Sequence, residues 1–290
     1  VPGAGRASRD TMLAMARTLA ASGIAAISYQ KRTQGYSPVA RDFGRLAADA
    51  VAAADLLAAT PGIDPSRIGA LGFSEGGWVA PLALQQAPSR FAFLALASAP
   101  VVSPLQQAAW MVDRPLQGAL TPVRRLAATA VGLGRPVLHD VGTDISPALR
   151  TLAVPVYAVW GADDSTVPVN AAVRKLRQTV PGPVMVEIVP GGDHQLPADH
   201  VWLQAVGHWM VEGGSRARPV AGAEPFSALG LATLPKQVWV GHPVLHLLVS
   251  LAAALAVGLR TRRSGGRPYP RPIPGGVRKF SWLRLRGFLR

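Results

Sequence analysis

Cysteine is absent from the 290-residue sequence, which excludes disulfides, thiol catalysis and cysteine-ligated metals. Acidic side chains are missing from one region. Residues 260–290 hold ten of the thirty Lys and Arg and none of the sixteen acids, so the formal charge of +14 shrinks to +4 over residues 1–259. A basic tail, not a basic domain, carries the charge. That points to a membrane surface ahead of nucleic acid, which is not an expected partner. No internal repeat and no signal peptide is visible. The first residue is Val1 rather than Met, and the sequence is read as beginning after processing or as part of a longer chain.

Apolar residues make up 49% of the chain, ample for a core. Apolar segments compatible with strands (Gly23–Tyr29, Ile68–Phe73, Phe91–Ser98, Val154–Trp160 and Pro183–Val189) alternate with helical ones (Thr11–Ser22, Phe43–Ala59, Val79–Gln86, Val169–Val180 and Ala198–Val211). The strands do not alternate polar with apolar residues. This predicts a mostly parallel sheet covered by helices on both faces, an α/β fold over residues 1–215. Residues 101–150 break the rhythm and read as an inserted lid or cap.

Residues 216–236 read as a linker. The run Pro243–Leu259 has 17 residues and no charge, and it extends back to Gln237. That is the short end of a membrane span. Trp239 at one edge and Arg260, Arg262 and Arg263 at the other fit a span over 237–259, with a cytoplasmic tail over 260–290 and an extracytoplasmic domain. The expected lipid partner would contact residues 237–290. The alternative is a buried helix and a cytoplasmic protein.

Gly72-Phe73-Ser74-Glu75-Gly76 fits G-x-S-x-G between an apolar strand and a helix-compatible run, the pattern of a nucleophile elbow. A serine at such a tip takes a strained backbone conformation that lifts its hydroxyl above the sheet, and flanking glycines admit the close approach of strand and helix. With 30 glycines in the chain, a five-residue match also arises by chance. The weight therefore falls on a base and an acid, which should sit on loops after later strands. His194 follows a Gly-Gly turn after the strand ending at Val189. His200 and His208, in a helix-like run, are the less suitable alternatives. Asp164 follows the strand ending at Trp160, in Gly161-Ala162-Asp163-Asp164, with Asp163 as the alternative acid. Backbone N–H groups of Glu75 and Ala4, the latter in Gly3-Ala4-Gly5, are the expected oxyanion donors. The Glu75 carboxylate is assigned no part. Such a site needs no metal or organic cofactor.

As a set, Gly72–Gly76, Gly161–Pro168 and Gly191–His194 resemble the α/β-hydrolase superfamily, nearest its esterase and dienelactone-hydrolase-like or prolyl-oligopeptidase-like branches. Tyr29-Gln30-Lys31-Arg32 resembles the family's Y-D-K-R-G turn, with Gln30 and Thr33 as departures. Pro2-Gly3-Ala4-Gly5 resembles its H-G-x-G oxyanion turn, with Pro2 in place of the histidine. The resemblance implies an α/β-hydrolase fold whose first strands lie ahead of Val1. It also implies a serine hydrolase in which Ser74, His194 and Asp164 cleave an ester or related small-molecule acyl substrate. A serine peptidase of the oligopeptidase type is the alternative enzyme, and a non-catalytic binding module on the same fold is the alternative of another class.

Overall fold

The computed structural model describes residues 1–5, 12–37, 40–116, 142–197 and 201–214. All lie in one unit, Val1–Val240. The expected linker, membrane span and basic tail lie outside the described residues, as does most of the lid, residues 117–141.

Four strands, β1 (Ala70–Phe73), β2 (Leu94–Ala97), β3 (Val156–Gly161) and β4 (Val184–Val189), form a sheet in the order β1-β2-β3-β4. All three pairings are parallel. Every strand therefore ends on the same edge of the sheet, and the loops that follow collect there.

Successive side chains along the strands face two apolar layers in turn. Leu94, Leu96, Val156, Ala158 and Trp160 face one layer with helices α2 (Phe43–Ala58), α3 (Gly76–Gln86) and α6 (Val169–Thr179). Ala95, Ala97, Tyr157 and Val159 face the other with α1 (Leu13–Ala21) and α7 (Val201–Val211). Helix α2 starts where the Asp42 side chain accepts a hydrogen bond from the Arg45 N–H at 2.9 Å, an N-cap. It buries Phe43, Leu46, Ala47, Ala50 and Ala54, residues three or four apart and so on one face. Within the expected lid, α4 (Pro104–Asp113) opens on a capping box of Ser103 and Gln106, and α5 spans Ser146–Arg150.

The strand expected over Gly23–Tyr29 is not part of the sheet. A strand forms by pairing, and Val1 occupies the outer side of β1. Its nitrogen donates to Leu71 O at 2.7 Å, and its carbonyl accepts from the Phe73 N–H at 3.1 Å. Residues 24–29 instead line a cavity of about 410 Å³, together with Val1, Leu19, Ala54, Ala70 and Leu71. Neither Ser74 nor His194 borders it.

The loops after β3 and β4 are joined by their backbones. Ala162 N donates to Val189 O at 2.9 Å, and Asp163 N to Gly192 O at 2.9 Å. A β-carbon on Gly161 would lie 2.1 Å from Gly192 O, so no other residue fits without moving one loop off the other. Gly161→Ala should lower the melting temperature and cut any activity of the domain together, measured by thermal unfolding and turnover. Unchanged stability and turnover would show that the two loops do not depend on this contact.

One buried carboxylate belongs to the fold alone. Glu187 on β4 accepts a hydrogen bond from the Tyr157 hydroxyl through Oε2, while Oε1 has no partner among the described residues. Burial pushes the Glu187 carboxyl above its ordinary value of 4.5, against the pull of the Tyr157 hydrogen bond. The folded protein thus holds this proton more tightly than the unfolded chain. The stability it contributes is full below about pH 4.5 and falls as pH rises through the folded-state value. Glu187→Gln removes the titration. Its melting temperature relative to the unaltered protein should rise between acidic and neutral pH, and a pH-independent difference would count against this account.

Candidate active site

Strand β1 ends at Phe73 and α3 begins at Gly76, leaving Ser74 and Glu75 to make the turn. Ser74 has φ +51°, in the left-handed region that costs a residue with a β-carbon. It is held there from both sides: its N–H donates to Ala97 O at 2.9 Å, and its carbonyl accepts from Gly77 N at 2.8 Å. The glycine at 72 is required by proximity, because a β-carbon there would lie 2.4 Å from Gly76 O. The elbow expected from the sequence is therefore present, with its strain.

His194 follows β4 and reaches two side chains. Its Nε2 is 2.9 Å from Ser74 Oγ, and its Nδ1 is 2.9 Å from Asp164 Oδ2. A carboxylate only accepts, so Nδ1 carries the proton in this contact. In the neutral ring Nε2 is then an acceptor, free to take the hydrogen of Ser74. Asp164 is itself fixed. Its other oxygen, Oδ1, accepts from the N–H groups of Thr166 at 2.7 Å and Val167 at 3.0 Å, and none of its side chain is exposed. Asp163 is exposed and its backbone, not its side chain, bonds the loop that carries His194. The Phe73 ring packs against His194 with centroids 5.8 Å apart, and only 13% of the His194 side chain is exposed. Helix α4 meets the same edge, Gln107 donating to Thr166 O at 2.9 Å. His208 is exposed on α7, and His200 lies outside the described residues.

The Gly3-Ala4-Gly5 turn lies against the elbow. A β-carbon on Gly3 would sit 3.3 Å from Ser74 Cβ. The N–H groups of Ala4 and Glu75 have no hydrogen-bond partner among the described residues. Gly5 N–H is already taken, donating to Tyr36 Oη at 3.0 Å.

Behind this turn is a cluster that sequence reasoning missed. The Glu75 side chain, assigned no part above, is 1% exposed and ion-paired with buried Lys31. It also meets Arg41 Nη1 at 3.1 Å and accepts from Tyr36 Oη at 2.9 and 3.0 Å. Lys31 donates to Gly3 O at 2.9 Å and lies 4.0 Å from the centre of the Tyr36 ring. Burial pulls the Lys31 ammonium below its ordinary value, opposed by the Glu75 carboxylate. Burial and then Glu75 push the Tyr36 phenol up to about 12, so it keeps its proton at neutral pH. Lys31 stood in the sequence only as part of the turn at Tyr29–Arg32, and no local pattern joins it to a residue 44 positions away. Among the described residues, no group of three or more His, Asp or Glu is placed to hold a metal ion.

Solved structures with this fold include a monoacylglycerol lipase of Paleococcus ferrophilus, 15% identical. Its TM-score is 0.51, over 73% of this chain and 92% of that one. An esterase of Pyrococcus furiosus is 17% identical with a TM-score of 0.50, over 71% of this chain and 79% of that one. At such identities the likeness is one of fold. Curated proteins yield no match. The family model of the prolyl oligopeptidases matches residues 43–213, a stretch that holds Ser74, Asp164 and His194. This match spans more than half of the chain, and the chain belongs to the prolyl oligopeptidase family, whose members are hydrolases of the α/β-hydrolase fold.

Proposed function

We propose that the protein is a serine hydrolase that cleaves an ester or related acyl bond of a small molecule through an acyl-enzyme. The observation that carries this reading is the unbroken series of contacts from Ser74 Oγ through His194 to Asp164, each 2.9 Å long. In the first half-reaction Ser74 Oγ attacks the substrate carbonyl while His194 Nε2 takes its proton. Asp164 holds the ring with Nε2 toward the serine and stabilises the cation that forms. The oxygen of the tetrahedral intermediate, now negative, takes hydrogen bonds from the Glu75 and Ala4 N–H groups. His194 then returns the proton to the leaving alcohol. In the second half-reaction His194 takes a proton from water, which attacks the acyl-enzyme; the bond to Ser74 Oγ then breaks, His194 returns the proton to that oxygen, and the acid product leaves. Every step is a proton transfer or acyl transfer, and no cofactor enters.

The family match favours a second reading, cleavage of a peptide bond by the same groups. The ester reading comes first because a site able to attack an amide also attacks the more reactive ester. p-Nitrophenyl acyl esters compared with aminoacyl anilides decide between them.

Ser74→Ala should abolish labelling by a fluorophosphonate probe and lower kcat by about a millionfold without changing the fold. Asp164→Asn should lower kcat by about ten-thousandfold, and Asp163→Asn should stay close to the unaltered protein. Turnover in the Ser74 variant equal to the original would sink the assignment.

The membrane tether is proposed on the sequence alone. Among the described residues no helix is long and apolar enough to cross a membrane. The full chain should remain in the membrane pellet after alkaline carbonate washing, and a chain ending at residue 236 should be released. Recovery of the full chain in the supernatant would overturn the tether.

A further inference from the structure

The cluster around Glu75 is costly as a stabilising device. A buried ion pair loses most of its attraction to desolvation and is poor grounds for stability. Here Lys31 is 3% and Glu75 1% exposed, Glu75 follows Ser74 in the chain, and Lys31 bonds Gly3, which packs against Ser74. What they hold explains their place.

The carbonyl of Gly3 and the N–H of Ala4 belong to one planar trans peptide group, so they point in opposite directions. Lys31 donates to that carbonyl at 2.9 Å. Fixing the oxygen on one side aims the Ala4 N–H on the other. The following peptide is fixed as well, because the Gly5 N–H donates to Tyr36 Oη at 3.0 Å. Both peptides flanking the Ala4 α-carbon are therefore held by side chains, and both side chains end on the same carboxylate. That carboxylate belongs to Glu75, the residue whose own N–H follows the serine. A cationic donor on the Gly3 oxygen also polarises the peptide and strengthens its N–H as a donor.

We propose that Lys31 and Tyr36, anchored on the Glu75 carboxylate, are positioning residues that aim the Ala4 N–H at the oxyanion of the reaction. The inference rests on the serine-hydrolase reading above. One residue then governs both donors, the first through its backbone and the second through its side chain.

The test uses the full chain, a p-nitrophenyl ester and an alkyl trifluoromethyl ketone. The ketone adds to a reactive serine and places a negative oxygen where the intermediate has one, so its Ki reads the oxyanion contacts. Tyr36→Phe removes a single oxygen, and Lys31→Met removes the donor to Gly3. Each should raise Ki for the ketone and lower kcat by a similar factor, about tenfold or more, with KM nearly unchanged, because the lost contact is made in the transition state. Lys31→Arg, which keeps a cationic donor, should recover part of the loss. Active sites are counted with a fluorophosphonate, so misfolded protein does not enter the rates. A purely structural cluster would lower the melting temperature and the count of active sites, yet leave Ki and kcat per active site unchanged. That result overturns the proposal while leaving the serine-hydrolase reading intact. If Lys31→Met does not fold, Tyr36→Phe decides. If the unaltered protein neither turns over the ester nor takes the fluorophosphonate, the serine-hydrolase reading fails first, and the assignment of Lys31 and Tyr36 falls with it.

Discussion

The site depends on a close approach of two backbones. Neighbouring strands of a sheet lie about 4.8 Å apart, so Ser74 after β1 and His194 after β4 start roughly 14 Å from each other. His194 reaches Ser74 because the loop after β4 folds back over the end of β3. Gly161 permits this, since a β-carbon there would lie 2.1 Å from Gly192 O. The crossing is tied by two backbone hydrogen bonds at 2.9 Å. It also sets Asp164 against His194, so the two side chains arrive as one unit. Ser74, which follows the strand at the other end of the sheet order, meets that unit on a backbone held at φ +51°. A parallel sheet brings the three loops to one edge, and the crossing closes the remaining gap.

Two buried glutamates illustrate how differently one side chain behaves according to its partners. Glu187 has the Tyr157 hydroxyl and one oxygen with no partner among the described residues, and burial favours its protonated form. Glu75 is as deeply buried but meets Lys31, Arg41 and Tyr36. Its charge is compensated from several directions, as a buried ion requires. The first pair fills a layer between β3, β4 and α7. The second joins the turn at Gly3–Gly5 to the elbow.

The alternation of segments made the parallel sheet legible, because strands buried on both faces leave long apolar stretches with few polar interruptions. The elbow was legible because G-x-S-x-G is a local demand on backbone geometry, visible in five consecutive residues. The segment at Gly23–Tyr29 misled. Its composition suits a strand, but strand formation is settled by what lies alongside, and there it borders a cavity. The choice between Asp163 and Asp164 was not legible either. Adjacent side chains point in different directions, and which one faces His194 depends on the crossing of the two loops.

By itself, then, the sequence determined the order of the candidate groups: Ser74, one of the pair Asp163 and Asp164, and His194, each just after a strand. Each is bound to a turn that its immediate neighbours specify. Tertiary structure alone decided which carboxylate faces the histidine, and it gave the Glu75 side chain its partners. Those lie far off in the chain, Tyr36 at 39 and Lys31 at 44 residues from Glu75. A contact between distant residues leaves no periodicity and no spacing in the chain, so only the folded backbone can bring it about.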